Sequence, residues 1–412
     1  MAPWISKRDP NLCQDCQYCR KWICRYESCI GCQACHVSCP YDAVKMEERP
    51  SWETITIYFD DKPLQVTSGI PIKEALQLSG FPISPFPKGD GIFVPCGVGG
   101  CMSCAMEVDG VFLPICVTQV QEGMKIQKEF SHPISPLRIV HGFQGHPVGG
   151  VGTPWNLKAS GRNIEVACFS AGCNLRCPQC QNWTTTYCGK GVYLTPEEAA
   201  ISLTRARKRE EVDRMAISGG ESTLNRPWLI QFLNILRKLN PDKEARLHVD
   251  TNGTFLTNEY VDELFQAGMT DVGIDLKAID VETYCRITGI EDRKKASLYL
   301  RTSWEAVRYI SENYKDRLFL GVGIPYNRDL ISMEEVERIG KEISNIDPNL
   351  QVCVLDYRPE FRRGLIEGNM IQRPSYQEMV EIYHLLRGTG LSTVLCQTPF
   401  GHIGPHIPDK RR

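Results

Sequence analysis

Cysteine spacing constrains this chain more than any other feature. Cys173, Cys177 and Cys180 fall in the run Cys-Asn-Leu-Arg-Cys-Pro-Gln-Cys, a C-x3-C-x2-C spacing that places three thiols in one tight loop. A four-iron cluster ordinarily takes four cysteine thiolates. Three leave one iron open to another ligand, by the logic that separates catalytic from structural metal sites. The chain has twenty cysteines in all, mostly in its first half and in C-x2-C pairs, a spacing that favours iron or zinc over disulfides. So many exposed thiolates and clusters point to a reducing interior with little oxygen, and hence to an anaerobe.

At 412 residues the chain is long enough for several modules. Hydrophobic residues at 42%, charged residues at 23% and a net charge of -2 supply no electrostatic reason for nucleic-acid or membrane partners. The first ten residues lack an apolar signal core, and no run approaches the roughly 18 apolar residues of a membrane span. A cytoplasmic location is the expectation.

Residues 1–50 carry Cys13, Cys16, Cys19 and Cys24, then Cys29, Cys32, Cys35 and Cys39 followed by Pro40. The second set reads C-x2-C-x2-C-x3-C-P and resembles the bacterial ferredoxin run, whose fourth cysteine serves the other cluster in two-cluster proteins. That resemblance implies one 4Fe-4S cluster on Cys29, Cys32, Cys35 and Cys24, and a second on Cys13, Cys16, Cys19 and Cys39. The first set lacks the following proline and has a wider gap before Cys24, so the pairing of Cys24 and Cys39 stays open. A structural zinc site on four of the eight is the alternative.

Residues 51–130 begin with alternating apolar residues from Thr54, a turn at Asp60-Asp61, a second short strand and a helix around Ile72 to Leu78, as a small β-grasp does. Cys96, Cys101 and Cys104, with Cys116 further on, have the C-x4-C-x2-C spacing that resembles plant-type 2Fe-2S ferredoxins. Gly97, Gly99 and Gly100 suit a loop whose backbone folds closely over sulfide. Residues 131–160, rich in Pro, Gly and His, read as a linker, and His132, His141 and His146 are assigned no ligand role.

From Asn163 apolar strands alternate with amphipathic helices. Strands are expected at Ile164–Phe169, Met215–Ser218, Leu247–Asp250, Asp271–Leu276, Leu318–Gly323 and Val352–Leu355, with helices such as Pro196–Lys208 and Met333–Ile343 between them. Repeated units of this kind make a parallel sheet with its ligands at the strands' carboxyl ends. The fold class is α/β, a partial (β/α)6 barrel over residues 161–400, preceded by a small α+β ferredoxin module and the β-grasp domain. Residues 401–412 form a tail.

The cysteine loop directly follows the first of these strands, Ser218-Gly219-Gly220-Glu221 follows the second, Asp250-Thr251-Asn252-Gly253 closes the third and Asp275-Leu276-Lys277 the fourth. Over residues 162–400 these motifs resemble the radical S-adenosylmethionine superfamily, and within it the pyruvate formate-lyase-activating enzymes and their relatives. Cys180-Gln181-Asn182-Trp183 is similar to a variant in one subgroup of those relatives. The resemblance implies that the open iron chelates the amino and carboxylate groups of S-adenosylmethionine. A cluster electron then breaks the sulfonium bond, and the resulting 5′-deoxyadenosyl radical abstracts hydrogen. On that reading Cys173, Cys177 and Cys180 hold the catalytic cluster. Gln179, Gln181, Gly219, Gly220, Glu221, Asp250, Asn252, Asp275 and Lys277 bind the cofactor, with the Gly-Gly-Glu turn at its amino group and Lys277 at its carboxylate. A strand-end cap is the plainer role for Asp250, and a surface charge for Lys277. Tyr326 stands where the family has a glycine, so no adenine contact is assigned there.

The cofactors expected are S-adenosylmethionine, three 4Fe-4S clusters and one 2Fe-2S cluster, with the N-terminal clusters as an electron relay fed by a ferredoxin- or flavodoxin-type donor. The substrate is a protein, peptide or small molecule. Alternatives are a glycyl-radical-enzyme activase, a cobalamin-dependent methyltransferase and an electron-transfer protein with a non-catalytic barrel. The activating enzymes usually carry their ferredoxin clusters inside the barrel, not before it, and no D-x-H-x-x-G cobalamin motif occurs here. Beyond the strand residue Cys168, the cysteines Cys188, Cys285, Cys353 and Cys396 read as small buried hydrophobes. His402 and His406 in the tail, and the polar run Asp356 to Arg363, are candidates for substrate contact.

Overall fold

The computed structural model describes residues 4–405, apart from 50–51, 85, 88, 90, 131–132, 159–161 and 360–370. Strands β1 (Glu165–Ser170), β2 (Arg214–Gly219), β3 (Arg246–Thr251), β4 (Asp271–Asp275), β5 (Phe319–Tyr326), β6 (Gln351–Asp356) and β7 (Thr393–Thr398) pair in sequence order and all in parallel. Antiparallel strands flank them at both edges. The resulting sheet of ten strands stays open, a partial barrel. The six expected strands are all present. β7 is an addition, too polar at Thr393, Gln397 and Thr398 to stand out as an apolar run. Helix Pro196–Glu210 starts where Thr195 and Glu198 form a reciprocal capping box.

The first four strands each open on a charged residue, and these starts meet. The Arg214 guanidinium lies 3.0 Å from Asp271 and 3.6 Å from Glu165, and Arg246 lies 3.0 Å from Asp271. Glu165 also accepts from Thr153 at 3.0 Å and sits 3.4 Å from His248 Nδ1, while His248 Nε2 faces Asp250 at 3.0 Å. At the amino ends of barrel strands such residues serve stability. Burial opposes the charged form of His248, but Asp250 and Glu165 outweigh it and raise the imidazole to about 9. A raised value means a contribution fully present below the ordinary value of about 6.5 and lost as pH rises through 9. Thermal melts should therefore show a loss of about 3 kcal/mol between neutral pH and pH 10, and His248→Gln should flatten that slope.

Residues 138–146 correct the linker reading. Arg138–His146 is a strand, antiparallel to β1, with its register broken between Gly142 and Gln144. The bulge interrupts the alternation that would have marked it. The Gly-rich stretch after it packs into the barrel instead of crossing its surface. An added Cβ on Gly321 would lie 2.1 Å from Val151 O, and one on Gly152 would lie 2.6 Å from Gly273 N. Glycine here makes room for two backbones in contact, a use distinct from flexibility. Gly321→Ala should cost about 1–3 kcal/mol as overpacking, measured by chemical denaturation.

In the N-terminal module Trp4–Arg8 pairs with Val44–Glu48. In the β-grasp the hairpin of Thr54–Phe59 and Lys62–Thr67 turns at Asp60 and Asp61, both with positive φ, the conformation that two-residue hairpins favour. Thr54–Phe59 pairs in parallel with Lys125–Gln127, and helix Ile72–Leu78 has the expected bounds. Both modules dock on the barrel. Tyr18 donates to Thr184 O at 2.6 Å, and Asn225 donates to Cys101 O at 2.9 Å. Among the described residues no helix is long and apolar enough to cross a membrane.

Candidate active site

The loops after β1 to β4 open onto one cavity of about 350 Å³ at the carboxyl ends of the strands. Cys173, Cys177 and Cys180 line it, with Gln179 and Gln181 between and beside them. Gly219, Gly220, Asp250, Asn252, Asp275 and Lys277 line it as well. Glu221 does not. Its buried carboxylate accepts from Thr223 N, Thr223 Oγ1 and Thr251 Oγ1 on one oxygen and from Asn252 N at 2.7 Å on the other. Glu221 thus holds the Asp-Thr-Asn-Gly turn in place.

The Gly-Gly-Glu turn folds back onto the cysteine loop. Gly220 N donates to Ser170 O and Glu221 N to Gly172 O, both at 2.8 Å. Cβ atoms on Gly219 and Gly220 would lie 2.5 Å from Ser170 N and 2.2 Å from Gly172 O, so neither position has room for a side chain. Asn252 donates to Asn174 Oδ1 at 3.0 Å and lies 3.8 Å from Cys173 Sγ, which ties the third strand's loop to the first's. Arg138, fully buried, donates to the carbonyls of Ser222, Ala171 and Glu221 and pins both loops from behind.

The donor set suits an iron–sulfur cluster with an amino-acid ligand. Burial pushes the Cys173 thiol up, so its thiolate form requires a cation beside it. Burial would lower the Lys277 ammonium, but Asp275 at 2.6 Å and the thiols of Cys177 and Cys173 outweigh it and hold it raised. The cavity therefore offers soft sulfur ligands, a fixed positive charge and carboxylates on one wall. Held by Cys173, Cys177 and Cys180, a four-iron cluster would supply one low-potential electron.

Other cysteines also gather. Cys39 shares a small cavity with Cys13, Cys16 and Cys19, while Cys24 lies beside Cys35. Cys96, Cys101, Cys104 and Cys116 are buried free thiols, Cys96 close to Cys101 and Cys116, and Cys116 close to Cys104. Among the described residues no three Cys, His, Asp or Glu side chains close on a single metal ion. A cluster does not require that, since its own irons and sulfides stand between the thiolates.

Several cavity residues had no role in the sequence reading. His146, assigned to a linker, lines the wall and lies 3.0 Å from Glu165. Lys158 lines it too and donates to Gly150 O at 2.7 Å. Their signal was hidden in the Gly-rich stretch. Cys353 also faces the cavity, as do Asp356, Tyr357 and His402 from the regions singled out for substrate contact. Arg358 grips Asp356 through two bonds of 2.8 and 3.0 Å. Residues 360–363 of the polar run, together with His132 and His406, lie outside the described residues.

A parallel α/β sheet with three cysteines at its carboxyl ends defines a class, that of α/β partial barrels with a cysteine-lined cavity at the mouth. The comparisons agree with it. Residues 168–343 match the Radical SAM superfamily, residues 53–130 a 2Fe-2S iron-sulfur cluster binding domain and residues 25–45 a 4Fe-4S binding domain. The chain thus carries a Radical SAM domain preceded by iron–sulfur domains of the 2Fe-2S and 4Fe-4S ferredoxin types. It is similar to a probable GTP 3′,8-cyclase of Thermococcus kodakarensis, 32% identical over 36% of this chain and 45% of that protein. A probable GTP 3′,8-cyclase of Methanosarcina mazei is 26% identical over 56% of this chain and 67% of its own length. An AdoMet-dependent heme synthase of Methanosarcina barkeri is 29% identical over 30% of this chain and 33% of its own. The chain spans less than half the length of the first curated relatives it matches. Among solved structures, Streptococcus suis SuiB bound to S-adenosylmethionine aligns with a TM-score of 0.39 at 15% identity, over 55% of this chain and 48% of that one.

Proposed function

We propose that the chain reductively cleaves S-adenosylmethionine to a 5′-deoxyadenosyl radical that abstracts hydrogen from a second substrate, with the N-terminal clusters relaying electrons. The observation that carries this is the convergence of Cys173, Cys177 and Cys180 with Gly219, Gly220, Asp250, Asp275 and Lys277 on one cavity. In this reading the three cysteines hold the open-site cluster, and the Lys277 ammonium faces the methionine carboxylate. Asp250 and Asp275 orient the amino and ribose groups. Gln179, Gln181 and Asn252 shape the pocket, and Glu221 acts as a positioning residue. Cys24 completes the set of Cys29, Cys32 and Cys35, and Cys39 that of Cys13, Cys16 and Cys19, as their gathering supports. With the site at Cys96, Cys101, Cys104 and Cys116 the chain holds three 4Fe-4S clusters and one 2Fe-2S cluster. The external donor is a low-potential one-electron carrier of the ferredoxin or flavodoxin class.

The relatives' name raises GTP as the second substrate. Among the described cavity residues the lysines are Lys158 and Lys277, set against Glu165, Asp250, Asp275 and Asp356. A triphosphate calls for several converging Arg or Lys groups, whereas Lys277 is held by Asp275, Lys158 by Gly150 O, and no arginine is among the described lining residues, which favours a peptide or small metabolite. Isothermal titration should show S-adenosylmethionine binding that weakens by about tenfold in Lys277→Met, and no binding of GTP to the holoprotein with S-adenosylmethionine present. Tight GTP binding, with a cyclised nucleotide as product, would replace the peptide or metabolite reading. Unchanged binding in Lys277→Met would remove that lysine from the site.

A further inference from the structure

Two of the cysteine sites are built against each other. Gly172, immediately before Cys173, has a φ of +90° and lies so near the β-grasp loop that an added Cβ would sit 2.8 Å from Cys101 Cβ and 3.0 Å from Cys96 Cβ. Arg176, inside the C-x3-C-x2-C loop, donates to Cys173 O at 2.8 Å and to Cys96 O at 2.8 Å, the first cysteine of each site. Beside it Asn225 holds Cys101 O at 2.9 Å, and Ser103 Oγ donates to Leu224 O at 3.0 Å. These contacts fix the gap between the two loops, and electron-transfer rates fall steeply as such a gap widens.

Cys96, Cys101, Cys104 and Cys116 are all buried, whereas Cys16 and Cys24 are exposed. An external carrier therefore meets the N-terminal module first. That module also touches the β-grasp loop: Arg25 contacts Tyr193 OH, which donates to Gly99 O at 2.9 Å.

We propose that Gly172 and Arg176 form the junction across which one electron passes from the site at Cys96, Cys101, Cys104 and Cys116 to the site at Cys173, Cys177 and Cys180. The β-grasp site is then the immediate donor and Arg176 a positioning residue. This rests on the relay reading above. The donor site is oxidised by one electron as the acceptor is reduced by one, and a low-potential one-electron carrier restores the donor through the N-terminal module. A rival route exists, because Tyr18, which lines the cavity of Cys13, Cys16, Cys19 and Cys39, lies with its ring 4.7 Å from that of Trp183, close after Cys180.

The test uses the full reconstituted chain, reduced anaerobically, freed of excess reductant and mixed with S-adenosylmethionine. The EPR signal of the reduced 2Fe-2S site is followed by freeze-quenching against 5′-deoxyadenosine formed. The signal should decay in step with the product. In Arg176→Met the decay should slow by about tenfold at unchanged iron content, and Arg176→Lys, which still reaches one carbonyl, should fall between. A 2Fe-2S site that stays reduced while 5′-deoxyadenosine accumulates in the unmodified chain overturns the proposal, whether or not the variants fold, and points to the Tyr18–Trp183 route. Equal decay in Arg176→Met overturns the role given to Arg176. No 5′-deoxyadenosine even with excess dithionite is a different result, since it defeats the cleavage reading itself.

Discussion

Cys177→Ala abolishes cleavage of S-adenosylmethionine: 5′-deoxyadenosine falls to background under any reductant, and the protein loses about four irons while keeping those of its N-terminal sites. The expectation follows from the ligand count. An open-site cluster has no spare cysteine, so deleting one leaves two thiolates to hold four irons. Nor is another thiol placed to substitute among the cavity residues, since the nearest candidate in chemical type, Cys353, projects from β6. Cys188, also near in sequence, is buried and bonded to Lys190 O at 2.8 Å. Iron analysis separates this outcome from unfolding, because a misfolded chain loses the N-terminal clusters as well.

Glu165→Ala destabilises the barrel by about 3 kcal/mol, the cost of breaking a buried charge network by removing one of its members. Glu165 is 1% exposed. Burial opposes its ionisation, yet bonds from His146 and His248 and the charges of His248 and Arg214 hold its carboxyl well below the usual range. That depression means a contribution present above about pH 4.5 and lost as pH falls. Removing the carboxylate leaves Arg214 with Asp271 and His248 with Asp250 but takes one of two counter-charges from each and leaves the Thr153 hydroxyl without its acceptor. Against a typical total of about 5–15 kcal/mol the loss is large, and chemical denaturation of the variant measures it.

The cysteine sites and the six central strands were legible because each rests on local signals. Ligand spacing sits within single loops, and apolar runs of five or six residues mark strands buried on both faces. The capping box at Thr195 is equally local. What stayed hidden depends on contacts far apart in sequence. Glu165, Arg214, Arg246 and Asp271 look like ordinary strand-flanking charges until the parallel register brings them together. Gly150 and Gly152 look like linker glycines until the barrel closes on them.

Glu221 illustrates the opposite error. Its motif predicts contact with the cofactor, but two side-chain hydroxyls and two backbone amides claim its carboxylate. The motif marks a turn whose two glycines line the cavity and leaves the side chain's partner undetermined. The docking of the β-grasp on the cysteine loop had no sequence signal either, because Gly172 and Arg176 read as ordinary loop residues. It also bears on experiment design. Deleting residues 1–130 would bare the surface that Cys96, Cys101 and Ser103 cover, so point variants test the relay more cleanly than truncation does.

The most direct measurement is anaerobic. The chain is reconstituted, reduced with dithionite and given S-adenosylmethionine, and 5′-deoxyadenosine is quantified with iron and sulfide. The account predicts 5′-deoxyadenosine together with about fourteen irons per chain, the sum for three four-iron clusters and one two-iron cluster. A full complement of iron with no 5′-deoxyadenosine would contradict it.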